Sequence, residues 1–181
     1  MVLSMKKLIA LILLSFTLIS ADIVRFSPPP LDTTTKIKAQ FLYNFTKYIE
    51  WPAAYKQGNF VIAVIGNNKL YNDLNTFFTG KMLGTQKYEV VYFAKPADIM
   101  TTCHLIYLPT DFIGNMTEVT TKVKNKSTLI VTDKAGMAKK GAAINFVYVD
   151  NKQKFEMNKT NIEKYDLKVS SSLANLAILV D

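Results

Sequence analysis

Four short apolar runs, spaced by segments that suit helices, constrain this chain most. They are Phe60–Ile65 (FVIAVI), Tyr88–Phe93 (YEVVYF), His104–Leu108 (HLIYL) and Thr128–Thr132 (TLIVT). FVIAVI is continuously apolar and ends in Gly66-Asn67-Asn68, the pattern of a buried strand that turns into a helix. Lys69–Phe78 and Phe112–Val123 read as helices, and Ala97–Thr101 as a helical turn. Strands that alternate with helices form a parallel sheet covered by helices. Farther on, Ala143–Val149 and Gln153–Asn158 flank Asp150-Asn151-Lys152, turn residues between two β-rich runs, which predicts a hairpin. Asn161–Tyr165 reads as helical and Leu167–Val169 as extended. Ser170–Ser172 can cap a last helix bearing Leu173, Leu176, Ala177 and Val180. The predicted fold class is α/β: a three-layer sandwich with a mainly parallel sheet and an antiparallel hairpin at its edge.

The segment KAQFLYNFTKYIEWP, residues 38–52, reads as one helix that is apolar on an unusually large part of its surface. At 100° per residue, Ile37, Phe41, Phe45 and Tyr48 form one stripe, with Leu42 and Ile49 beside it, which is an ordinary core face. Lys36, Gln40, Tyr43, Lys47 and Trp51 fall roughly opposite. An aromatic–lysine stripe on an outer face suits contact with a partner, and Tyr43, Lys47 and Trp51 are its candidate contact residues. The alternative is that Tyr43 and Trp51 cover a second edge of the core. Pro52 is expected to stop the helix.

Residues 1–21 carry the plan of a cleaved secretory leader. Lys6 and Lys7 form a basic start, Leu8–Ile19 an apolar run, and Ser20-Ala21 a small-residue cleavage site. The run is short for a membrane span, which needs about 20 residues. Residues 22–35, with Pro28-Pro29-Pro30, read as an extended lead-in, and residues 36–181 as a single domain. The expected product is an exported, periplasmic chain that is not embedded in the membrane. Formal net charge is +8, and removal of Lys6 and Lys7 with the leader leaves +6, because residues 1–21 hold no acidic residue. The lysines are scattered along the chain, which does not suggest a nucleic-acid face.

The inventory for catalysis is thin. His104 is the only histidine and Cys103 the only cysteine, so neither an intrachain disulfide nor a zinc site of several His and Cys ligands can form. Cys103 and His104 are adjacent on a predicted strand, and neighbouring strand residues point to opposite faces, which places them poorly to share a proton. No G-x-S-x-G elbow or phosphate-binding glycine loop is present. No cofactor, metal or catalytic residue is expected. What remains is a candidate ligand pocket at the carboxyl ends of the strands, bordered by Gly66, Asn67, Pro109 and Asp133, where open α/β sheets tend to bind.

Several motifs occur in order: KAQFLYNFTKYIEWP, CHLIYLP, TLIVTDKAGMA, GAAINFVYVDNKQKFEMN and LKVSSSLANLA. Together they resemble the YfiR/HmsC-like family of exported bacterial proteins over residues 36–180. The resemblance implies a compact α/β sandwich, often dimeric. It also implies a periplasmic regulator that binds the sensor domain of a membrane diguanylate cyclase and holds it inactive, keeping cyclic-di-GMP and biofilm formation low. The family motifs fall on Lys38, Phe41, Tyr43, Asn44, Phe45, Lys47, Tyr48, Trp51 and Pro52, on Cys103 and His104, on Asn145, Phe146, Phe155 and Glu156, and on Lys168–Ser171 and Leu173. Members with paired cysteines can use disulfides, which this chain with one cysteine cannot. The expectation is therefore a non-enzymatic partner-binding regulator; the alternative is a periplasmic small-ligand sensor.

Overall fold

The computed structural model describes residues 32–112, 114 and 116–181. The expected leader and most of the lead-in lie outside the described residues. The first helix, α1 (Thr33–Tyr48), begins earlier than its aromatic motif suggests. Its cap is Asp32: Oδ1 accepts from the Thr35 N–H at 2.8 Å and Oδ2 from the Thr35 hydroxyl at 2.7 Å. These two bonds hold the Asp32 carboxyl below the usual carboxylate range, the backbone bond most. The helix ends at Tyr48, before Trp51 and Pro52, because Ile49 turns extended. Ile49–Glu50 (β1) pairs antiparallel with Lys168–Val169 (β9) in a small ribbon.

The buried face of α1 is Thr35, Ala39, Leu42, Phe45 and Thr46. Two residues of the predicted core stripe, Ile37 and Tyr48, are 41% and 48% exposed. Phe41 is half-buried and packs on Phe146 and Phe155. The buried face thus carries three small side chains, Thr35, Ala39 and Thr46, beside Leu42 and Phe45.

Among the described residues the main sheet comprises eight strands in the order β10-β8-β7-β6-β5-β2-β4-β3. The strands are β2 (Phe60–Ile65), β3 (Met82–Leu83), β4 (Gln86–Phe93), β5 (Leu105–Leu108), β6 (Leu129–Thr132), β7 (Ile144–Val149), β8 (Lys152–Met157) and β10 (Ile178–Leu179). From β4 through β2, β5 and β6 to β7 all pairs are parallel; β7–β8 and β3–β4 are antiparallel. The central strands β5 and β6 are buried at every position, as continuous apolar sequences require. Helix α2 (Asn68–Phe78) links β2 to β4, and α3 (Met116–Lys122) links β5 to β6. These crossovers run in opposite directions along the sheet, so right-handed connections put α2 and α3 on opposite faces. Helix α1 packs on α2, and the short turn Pro96–Asp98 on α3, which completes three layers. Two short helices, α4 (Lys159–Lys164) and α5 (Ser171–Ala174), follow the hairpin.

The predicted last helix stops at Ala174 instead of extending to Val180. Ile178 and Leu179 form β10, parallel to β8, so one further strand lies outside the hairpin. The hairpin turn matches its sequence: Asp150 and Asn151 both have positive φ, 51° and 56°.

Candidate functional site

Helix α1 runs between two concavities at opposite ends of the sheet. The first lies at the carboxyl ends of β2, β5 and β6, as the sequence suggests. It has a volume of about 310 Å³ and is bordered by Asn67, Pro109 and Asp133. Gly66 is not part of its wall; at φ 78° it makes the turn after β2, next to Phe112. The elements explain the chemistry. Asn67 caps α2 through Leu70 N–H at 2.8 Å and donates its amide to Asp111 Oδ2 at 2.8 Å. Asp133 follows β6 directly and its side chain is only 7% exposed. Its Oδ2 accepts from Lys38 Nζ at 2.5 Å and from the Tyr107 hydroxyl at 2.9 Å. Burial first, and the neighbouring Asp133 carboxyl second, push the Tyr107 phenol well above its ordinary pKa, so it stays a donor. The other oxygen, Oδ1, is buried with no hydrogen-bond partner among the described residues. Lys38, Tyr107 and Thr35 are members of this site that the sequence pattern missed. A lysine paired with an aspartate 95 residues away leaves no local trace.

The second concavity, about 470 Å³, lies where β2 and β4 begin and α1 ends. Lys47, Trp51, Lys56, Phe60, Leu83 and Gln86 are among its walls. The structure thus brings Lys47 and Trp51 together, although not on one helical stripe. Trp51 has left the helix and is 4% exposed; it packs edge-on against Phe60 at 5.0 Å, and its indole N–H donates to the His104 carbonyl at 3.2 Å. Its expected place on an outward face is corrected: it is the floor of a groove. Tyr43 is half-buried among Phe77, Phe78 and Tyr88, and its ring carries the exposed Lys47 ammonium 4.1 Å from its centroid. Thr46 gives its hydroxyl proton to the Tyr43 carbonyl at 2.8 Å, so the 2.5 Å contact with Tyr88 is donated by the Tyr88 phenol. Burial chiefly pushes that phenol up to about 12.

His104 braces this groove. Its Nδ1 accepts from the Val61 N–H at 3.0 Å, and Nε2 lies 2.8 Å from the Tyr55 carbonyl, to which it donates. Only the neutral Nε2–H tautomer satisfies both contacts. Phe60 stacks on the ring at 4.4 Å. Burial holds the imidazole pKa below its ordinary value. Gln86 also donates to the Tyr55 carbonyl, at 3.0 Å, and Ser127 N–H donates to the Tyr55 hydroxyl at 2.9 Å. Cys103 is buried, its thiol near the Thr101 carbonyl at 3.7 Å and pushed up to about 11 chiefly by burial. With both imidazole nitrogens on backbone groups and the thiol protonated, the pair has no free base for nucleophilic chemistry. Among the described residues, no group of three or more His, Cys, Asp or Glu could hold a metal ion. Nor is any helix among them long and apolar enough to cross a membrane.

Fold and site together define a small α/β sandwich with an aromatic groove at one end of its sheet and a carboxylate-rich cavity at the other. The chain belongs to the YfiR/HmsC-like family, which it matches over residues 35–178. No curated protein matches it.

Proposed function

We propose that this protein is an exported periplasmic regulator that binds the sensor domain of a membrane signalling protein, a diguanylate cyclase, and represses it. Family membership supports the class of function. The observation that carries the contact is the 470 Å³ groove with Trp51 as its buried floor and Lys47 on its rim. An aromatic floor with a cationic rim suits an anchoring side chain flanked by acidic residues of the partner. Tyr43 holds the Lys47 ammonium at that rim. Repression follows if the regulator binds the inactive sensor conformation more tightly than the active one. Shifting a cyclase from 99% active to 99% inactive takes a preference of about 10⁴-fold.

The test is the cellular cyclic-di-GMP level. Deletion of this protein is expected to raise it, and wild-type protein to restore it. Lys47→Glu should fold normally, fail to restore the low level, and fail to retain the cyclase in an envelope pull-down. A cyclic-di-GMP level that ignores the deletion would sink the reading.

A further inference from the structure

Donors and acceptors do not balance in the cavity at the carboxyl ends of the strands. Four neutral side chains of the cavity wall each donate to a nearby acceptor. The Tyr107 hydroxyl goes to Asp133 Oδ2, the Asn67 amide to Asp111, the Thr35 hydroxyl to Asp32, and the Thr110 hydroxyl to the Asp133 carbonyl. The charges are also uneven. Lys38 pairs with Asp133, and Lys69 with Asp73 at 2.7 Å and with Asp32 at 3.8 Å. Among the described residues Asp111 meets only a neutral amide. Asp133, in the wall of the cavity with a side chain more than nine-tenths buried, keeps an oxygen that no donor among the described residues reaches. An unsatisfied buried acceptor costs free energy until a donor arrives. What the site lacks is a further positively charged donor beyond Lys38 and Lys69.

We propose that this cavity binds a small aliphatic amine, its ammonium groups donating to the Asp133 and Asp111 carboxylates. The Lys38 side chain shows that Asp133 accepts an ammonium there: Nζ sits 2.5 Å from Oδ2 and its side chain is 16% exposed, in the wall of the cavity. A cavity of about 310 Å³ is at the small end for ligand sites, which suits a short chain rather than a nucleotide. A metal ion fits less well, because no cluster of three ligating side chains exists among the described residues. The site does not depend on the partner reading, since the groove lies at the other end of the strands.

Calorimetric titration of the purified protein at about 0.15 M salt tests it, with putrescine as the probe and 1,4-butanediol, succinate and calcium chloride as controls. Putrescine is expected to bind saturably, with Kd of about 1 mM or tighter. The diol and the dicarboxylate should not bind, and calcium should not displace putrescine. Asp133→Asn deprives Lys38 of its counter-ion and costs stability, so the exposed Asp111 carries the comparison. Asp111→Asn should weaken putrescine about tenfold or more at an unchanged melting temperature. The proposal is overturned if putrescine does not bind, if Asp111→Asn leaves its affinity unchanged, or if the diol or calcium binds equally well. None of these outcomes bears on cyclic-di-GMP repression, which Lys47→Glu tests separately.

Discussion

The two ends of α1 work in opposite chemistries. Lys38, in its second turn, meets a buried carboxylate; Lys47, roughly 14 Å farther along at 1.5 Å per residue, lies over a neutral ring. Around Lys38 lie polar side chains of the loops that follow β2, β5 and β6, namely Asn67, Asp111 and its partner Asp133. Around Lys47 lie aromatic rings and backbone groups where β2 and β4 begin, and among the groups that brace that floor every hydrogen bond of His104 and Gln86 ends on the main chain. The difference teaches that one helix can serve a rigid, apolar end and a polar, incompletely satisfied end. Stability should concentrate at the first, and responsiveness to solutes at the second.

The largest expected effect is at the aromatic end. Trp51→Ala removes a buried indole and its bond to the His104 carbonyl, and should cost about 3–5 kcal/mol in urea unfolding. Asp133→Asn should cost less, about 1–3 kcal/mol, by weakening the pairing of Lys38. If it costs more than Trp51→Ala, the division of labour between the ends is wrong. Third comes acid. Burial depresses the folded pKa of His104, so below about pH 6.5 the unfolded chain takes up a proton that the folded chain resists. Stability contributed by this group is full above the unfolded pKa and falls as pH drops towards the folded one. One proton is worth at most about 1.4 kcal/mol per pH unit, so between pH 6.5 and 5.5 the melting temperature should fall by up to about 2–4 °C. That step should vanish in His104→Gln. The smallest effect sharpens the contrast within the groove itself: Lys47→Glu, on the rim, should change stability by no more than about 0.5 kcal/mol while abolishing capture of the cyclase.

Much of the scaffold was legible before any coordinates. FVIAVI, LIYL and LIVT read as buried strands because continuous apolarity over four to six residues fits a sheet covered on both faces. The hairpin was legible because Asp150 and Asn151 tolerate positive φ. Of the two-residue strands only β9 was legible, as the extended Leu167–Val169; β1, β3 and β10 were not, since two residues cannot display a period. The rotation of α1 was misread for a different reason. The stripe was centred on large apolar and aromatic side chains, Ile37 and Tyr48 among them, whereas the buried face also holds the small Thr35, Ala39 and Thr46. Of the sites, Asn67 and Asp133 were found through the rule that ligands gather at carboxyl ends of strands, whereas Lys38 and Tyr107 came only with the tertiary fold. Trp51 was recognised as special, yet its orientation depended on a helix that ends three residues earlier.

Cys103 has a further use. It is the single thiol of the chain, buried two residues before the central strand β5 and protonated at neutral pH. A thiol-reactive dye added to folded protein can couple only during excursions that expose that segment. Its coupling rate therefore counts those excursions directly, with no engineered label, and would show whether an amine at one end or a cyclase at the other quiets the middle of the sheet.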